Sequence, residues 1–330
     1  MMHTGFLKGL QLGATGLSSS LKEDLARVEE RIDDSLSSGI PYIRRLSDAV
    51  LEVRGKMFRP ALVILSAGKP GESSSSTLLA GAVVEMIHTA TLLHDDVVDC
   101  SQKRRGLPTL NHRFGDGPSI LMADYIYSRA ITLLVEAELT AVLGLLARTV
   151  HQMSIGELLQ LELKEGGEID EEAYFRVIYE KTARLIESSC RTGAILSGRS
   201  DREVEALGTF GRKIGMAFQI VDDVLDYRSD ESTLGKPVGS DLAEGKQTLP
   251  FLRALDGAEK SEREKMMELF RNRDTGELLE WVRLSGGVDS SLEEARSLGL
   301  EAREALKLLP ESPVRLALGA AADYVIERPF

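Results

Sequence analysis

Cysteine is scarce in this chain: 330 residues hold two, Cys100 and Cys190. Two cysteines cannot build a disulfide framework and fit a reducing, cytoplasmic compartment. By default each is a small apolar core residue. No run reaches the roughly 18 apolar residues that a membrane-crossing helix needs, so none is expected. Positive charge is also short. The formal net charge is −12, which argues against a nucleic-acid partner. An anionic ligand would have to be held by a local basic cluster and metal. Period-two alternation is rare, no fixed-period repeat occurs, and no shift of composition marks a domain boundary. Residues 1–19 hold one lysine and no long apolar block. They read as a loose extension rather than a signal peptide.

What is present is helical periodicity. Apolar residues recur at spacings of three and four through YFRVIYEKTARLIESSCRTGAIL and LTAVLGLLARTVHQMSIGELLQLELK, the signature of one-sided helices. Ser20 before LKED serves as an N-cap. Turn-forming stretches are short: GKPGESSSS, GDGP, EGGEID, a loop over 228–247, SGG and PESP. The expectation is one all-α domain over residues 20–330, of roughly ten or more helices.

Two acidic clusters stand out. In HTATLLHDDVVDCSQKRR (88–105), Asp95, Asp96 and Asp99 end a long apolar run and Arg104 and Arg105 follow. Residues four apart on a helix lie about 40° from each other, so Asp95 and Asp99 project together with Asp96 beside them. QIVDDVLD (219–226) repeats the i, i+1, i+4 spacing with Asp222, Asp223 and Asp226. One such cluster alone has a second reading, as a helix C-terminus with a solvated acidic face. Two, each followed by a loop rich in Lys, Arg and Gly, are harder to dismiss. Crowded carboxylates need a cation, and oxygen donors without thiolate or paired histidine suit a hard ion such as magnesium. The direct reading is two helices facing each other across a cavity, with magnesium held between them to grip a diphosphate.

RGKMFRP (54–60) offers Lys56 and Arg59 just before a proline that can open a helix. Alone it is either an idle basic loop end or a second anion site; beside two acidic clusters the latter reads better. His88 lies seven residues before Asp95, on the same face and about 10 Å away along the axis. His94 reads as structural.

In this order, RGKMFRP, LLHDDVVD with RRG, GELLQ (156–160), EKTARL (180–185), FQIVDDVLD and GKPVGSDLAEGKQTLP (235–250) resemble the trans-type isoprenyl diphosphate synthases, or polyprenyl synthetases. The resemblance runs from about residue 40 to the C-terminus. It implies an isoprenoid-synthase bundle of antiparallel helices around a deep cavity, in a homodimer. It implies that all six aspartates hold about three magnesium ions, with manganese as a substitute. Arg104, Lys181, Thr182, Gln219, Lys236 and Lys246 would contact the allylic diphosphate. Lys56, Arg59, His88 and Arg105 would hold isopentenyl diphosphate. The implied reaction is ionisation, condensation and elimination: charge on the departing diphosphate is stabilised by magnesium and fixed cations, and closure excludes water. No nucleophilic serine or cysteine is needed. The loop from Arg228 to Lys246 is either a lid or an ordinary surface loop.

The resemblance has departures. Arg54 stands where glycine is usual, and Met122 and Ala123 precede Asp124 where Val-Gly is common. Ala90 and Thr91, small residues about a turn before Asp95, imply an open tunnel and products beyond roughly fifteen carbons, each five-carbon unit needing about 4–5 Å. Leu134 and Leu146 are either a deeper floor or ordinary core. HTATLLHDDVVD looks most like the long-chain, octaprenyl- and solanesyl-type members, with product released at a membrane surface. A shorter-chain synthase, a terpene cyclase and a non-catalytic subunit are the alternatives. The Asp-based second cluster and RGKMFRP speak against the cyclase, and the presence of all six aspartates speaks against the non-catalytic subunit. SGGVDSS (285–291) matches a phosphate loop but sits between helical segments, so it reads as a turn capped by Asp289 or a serine.

Overall fold

The structure is a computed structural model describing residues 17–166, 169–228 and 238–327. Helix dominates it. In chain order the helices are α1 (Leu17–Leu36), α2 (Pro41–Glu52), α3 (Phe58–Ala67), α4 (Ser75–Val98), α5 (Leu110–Phe114), α6 (Asp116–Glu136), α7 (Thr140–Gly166) and α8 (Glu171–Ile178). A π-helical turn, Tyr179–Ala183, leads into α9 (Arg184–Leu196). Then come α10 (Asp201–Arg228), α11 (Ser240–Ala243), α12 (Leu249–Gly257), α13 (Lys260–Arg271), α14 (Thr275–Leu284), α15 (Gly287–Leu306) and α16 (Pro313–Ile326). The all-α expectation holds. Of the expected loose extension, residues 1–16 lie outside the described residues. Residues 17–19 are already helical, so Ser20 sits inside α1 rather than capping it.

The chain divides into two compact units. One comprises Met1–Val150, Ser188–Gly208 and Leu308–Ala321; the other comprises His151–Glu187, Thr209–Lys307 and Ala322–Phe330. Each carries one aspartate cluster.

In the first unit α4 is the core element. The Ser74 hydroxyl accepts from the Thr77 N–H at 3.1 Å and opens it. Ala80, Ala82, Val83, Val84, Met86, Ile87 and Ala90 are buried along it. A helix apolar on every side is stable only when surrounded. By length and composition α4 is the one described helix able to cross a membrane, but 67% of its apolar window is buried inside the fold. α3 is similarly enclosed from Pro60 to Ser66. Its proline is at the third helical position rather than the first, still within the turn whose N–H groups lack helical partners. In the second unit Val224, Tyr227, Phe251, Phe270, Val282 and Leu292 share one apolar core, with the Phe251 and Phe270 rings stacked 4.9 Å apart.

Among the described residues one short hairpin breaks the helical pattern. Lys103–Arg104 pairs antiparallel with Leu107–Pro108, in register Lys103↔Pro108 and Arg104↔Leu107. Arg105 and Gly106 form the two-residue loop with φ of 53° and 79°, the paired left-handed conformation that tight hairpins require.

Candidate active site

The first unit gathers its functional side chains at the end of α4. Asp96 is buried at 3% exposure, while Asp95 and Asp99 are part-exposed. The hairpin returns Arg104 onto Asp96: its Nε donates to Oδ1 at 3.0 Å and its Nη2 lies 2.8 Å from the same oxygen. Burial raises the Asp96 carboxyl above its ordinary range, against the pull of Arg104. Asn111 Nδ2 donates to the Asp96 carbonyl at 3.1 Å and fixes the turn. Asp95 faces Tyr127, whose hydroxyl is pushed up by burial first and by the Asp95 charge second. His94 is turned toward α6, 3.6 Å from Asp124 and against the Tyr127 ring, in keeping with a structural role.

The basic group assembles beside this. Burial and then the charges of Arg59, Arg105 and Arg104 hold His88 well below its usual value, so the ring is neutral. Arg105 donates from Nη1 to the Val53 carbonyl at 3.0 Å. Burial lowers its guanidinium, while the Glu85 carboxylate opposes that shift. Gly55 lies against both: a β-carbon there would stand 3.0 Å from Glu85 Oε1 and 3.2 Å from Arg105 Nη2. Lys56 is exposed on the same loop, and Met57 takes a left-handed φ of 55° as α3 begins. Arg54 pairs with Asp33 and Glu29 of α1. These partners show how arginine is accommodated where glycine is usual. A cavity of about 70 Å³ runs from His88, Asp96, Arg104 and Arg105 to the apolar side chains Ile32, Leu36 and Val50.

In the second unit α7, the π turn and α10 converge. The π turn presents Lys181 and Thr182. It is gripped on two sides: a β-carbon at Gly156 would meet the Lys181 nitrogen at 2.7 Å, and one at Gly215 would meet Ala183 Cα at 2.6 Å. Lys181 pairs with Glu157. The Thr182 hydroxyl donates to Gln219 Oε1 at 3.0 Å, Gln219 Nε2 donates to Asp223 Oδ1 at 2.8 Å, and the Tyr174 hydroxyl donates to Asp223 Oδ2 at 2.7 Å. Burial, then the neighbouring Asp241 charge, push the Asp223 carboxyl up to about 8.

Asp226 is placed differently from its neighbours. It is fully buried. Its Oδ1 accepts from the Ser240 hydroxyl at 2.8 Å and its Oδ2 from the Asp241 N–H at 2.9 Å. It thus tethers α11, which carries Asp241, a carboxylate that cluster spacing did not single out. Tyr174 and Glu157 also escaped notice. Asp241 and Glu157 lie within recognisable motifs, whereas no local signal marks Tyr174. Lys246 pairs with Glu244 at 2.6 Å and lies 3.8 Å from Asp241. A cavity of about 270 Å³ is bounded by Lys181, Gln219, Asp222, Asp223, Asp241 and Lys246, among others. Residues 229–237 of the expected lid, Lys236 among them, lie outside the described residues; at its start Arg228 pairs with Asp289.

Does this donor set fit magnesium? Among the described residues no three acidic, histidine or cysteine side chains close around one point as a cage. Magnesium does not ask for one, since it takes one or two carboxylates and completes its shell with water and ligand phosphate oxygens. Asp222, Asp223 and Asp241 around a cavity that also holds Lys164, Lys181 and Lys246 match that habit. Asp223 is raised first by burial and then by the charges of Asp241 and Asp222; a divalent ion would relieve the like-charge part.

Of the residues expected to set chain length, Ala90, Leu134 and Leu146 are core and Thr91 is part-exposed. Ala90 is fully buried, Leu134 and Leu146 are each 1% exposed, and Thr91 donates its hydroxyl to the His88 carbonyl at 2.7 Å. None of the four lines either cavity. Met122 and Ala123 are buried in α6. SGGVDSS is a turn between α14 and α15, but its N-cap is Gly286 with φ 81°, not Asp289 or a serine. The left-handed backbone there suits glycine, and Asp289, two residues into α15, is turned to Arg228.

Comparison with known proteins places this geometry. A model of the polyprenyl synthetase family matches residues 40–283. The chain is 38% identical to octaprenyl diphosphate synthase of Escherichia coli over 310 residues, 93% of this chain and 96% of that one. It is 36% identical to a short chain isoprenyl diphosphate synthase of Methanothermobacter thermautotrophicus, covering 91% and 95%. Its fold matches the crystal structure of a decaprenyl diphosphate synthase from Rhodobacter capsulatus with a TM-score of 0.88 at 36% identity, over 94% of this chain and 98% of that one. Motif order, helical architecture and likeness along nearly the whole chain agree: the chain belongs to the polyprenyl synthetase family, the trans-prenyltransferases.

Proposed function

We propose that the chain condenses isopentenyl diphosphate with an allylic diphosphate (geranyl, farnesyl or geranylgeranyl) to give an all-trans, long-chain polyprenyl diphosphate. The observation that carries this is the second unit's cavity, whose lining combines Asp222, Asp223 and Asp241 with Lys164, Lys181 and Lys246 and the Thr182–Gln219–Asp223 chain. Such a lining suits a metal-bound diphosphate and little else. The aspartates of the two clusters would hold magnesium, about three ions, which when bound would supply positive charge for the departing diphosphate. Lys181 and Lys246, with Lys236 and Arg104, orient that diphosphate and add fixed positive charge where the bond breaks. His88, Arg59, Arg105 and Lys56 hold isopentenyl diphosphate. The released diphosphate takes the final proton.

A homodimer in the cytoplasm, passing its product to a membrane surface, completes the reading. For the dimer, Ile120, Leu121, Ile131 and Val135 of α6 are 40–69% exposed and fall within about 100° of helical arc. Exposed apolar side chains grouped in this way, with Asp124 and Ser128 among them, suit a contact surface. The test is incubation of pure protein with magnesium, labelled isopentenyl diphosphate and allylic starters of three lengths, followed by sizing of products. A ladder ending at long chains is expected. Absence of any elongated product with every starter would overturn the proposal, and a product stopping at farnesyl or geranylgeranyl would overturn its long-chain part.

A further inference from the structure

The turn that carries Lys246 is clasped by a residue far along the chain. α11 ends with Gly245 at φ 78°. The Gly245 N–H donates to the Leu242 carbonyl at 3.0 Å and the Lys246 N–H to the Asp241 carbonyl at 2.8 Å, the paired bonds of a Schellman motif. Asp241 and Lys246 both line the cavity, at the two ends of this turn. The Arg273 guanidinium lies directly over Gly245. A β-carbon there would stand 2.2 Å from Nη1 and 2.3 Å from Nη2, and Nη1 donates to the Leu242 carbonyl at 3.4 Å. The same guanidinium is 5.4 Å from the centre of the Phe270 ring, so it is fixed on its other side.

Arg273 occupies a position that its own backbone would assign to glycine. It closes a second Schellman turn, at the end of α13: its φ is 58°, its N–H donates to the Phe270 carbonyl at 3.1 Å and the Asp274 N–H to the Leu269 carbonyl at 3.0 Å. A side chain in this left-handed position is strained, and glycine is the usual occupant. A residue placed against its local backbone preference points to a task for its side chain. Here the side chain reaches the turn that presents Asp241 and Lys246.

We infer that Arg273 is a positioning residue for the allylic diphosphate site, acting by fixing the 241–246 turn. The inference rests on the diphosphate-binding role proposed above for Lys246. The test is Arg273→Gly, with Arg273→Asn as a second variant that also tolerates the left-handed backbone. Glycine relieves the strain, so the melting temperature of Arg273→Gly is expected to stay level or rise. Calorimetric affinity for inorganic diphosphate with magnesium should nevertheless fall about tenfold, and KM for the allylic substrate should rise to match, while KM for isopentenyl diphosphate holds. Gly245→Ala should lose less in the Arg273→Gly background than in the parent, because the clash with the guanidinium is gone. Parental diphosphate affinity in both variants, or a loss of melting temperature with both KM values altered alike, would overturn the inference. If the parent protein is active and the variants match it, only Arg273's role fails. If the parent makes no prenyl product and binds no diphosphate, the proposed function fails and this inference with it.

Discussion

Asp223 combines deep burial with carboxylate neighbours at Asp241 and Asp222, and its carboxyl is pushed up to about 8, whereas an unfolded aspartate titrates near 4. The folded protein therefore binds this proton more tightly than the unfolded chain does. Its contribution to stability is complete below about pH 4 and is lost as pH rises toward about 8. The metal-free protein should accordingly melt at a lower temperature at pH 8 than at pH 5. Asp223→Asn should flatten that slope, and magnesium at pH 8 should restore the melting temperature of the parent. An unchanged slope in Asp223→Asn would contradict the account. Asp96 makes a different prediction. It is the buried partner of a part-buried arginine, so Asp96→Ala should cost about 1–3 kcal/mol in chemical denaturation, from the lost charged hydrogen bonds and the stranded guanidinium.

The π turn at Tyr179–Ala183 shows how elements position chemistry. A π segment inside a helix re-aims side chains locally and recurs at functional sites; here it points Lys181 and Thr182 at the cavity. Gly156 and Gly215 leave room for its backbone. Gly156→Ala should therefore cost about 1–3 kcal/mol through overpacking and raise KM for the allylic substrate more than for isopentenyl diphosphate. Equal effects on both would contradict this. The helices themselves were legible, because apolar spacing of three and four reports a buried stripe directly. The π turn was not, since its only trace is one gap of five, between Ile178 and Ala183, in the spacing of buried residues. The Lys103–Pro108 hairpin was missed because two-residue strands carry no alternation, although Arg-Gly at its tip is a turn signal. The aspartate clusters were legible by their spacing. Asp226's engagement by Ser240 and Asp241, Tyr174's bond to Asp223 and Arg273's grip on Gly245 span tens of residues in two of three cases, and no local pattern encodes contacts of that range.

For the whole molecule, the exposed apolar side chains of α6 predict a dimer by light scattering. Leu121→Glu combined with Val135→Glu should shift it toward monomer, and a parent protein that is monomeric at micromolar concentration would contradict the assembly. Ala90 is fully enclosed, so Ala90→Phe should shorten the product while lowering the melting temperature; a full-length product would remove Ala90 from the account of chain length. The central claim is that both aspartate clusters serve one magnesium-dependent ionisation. The most direct measurement is turnover of labelled isopentenyl diphosphate and an allylic starter across a chelator titration, for the parent, Asp95→Asn and Asp222→Asn. The account predicts no product in excess chelator, recovery on adding magnesium, and a loss of at least about 100-fold in each variant. Turnover that survives the chelator, or that either substitution leaves untouched, would contradict it.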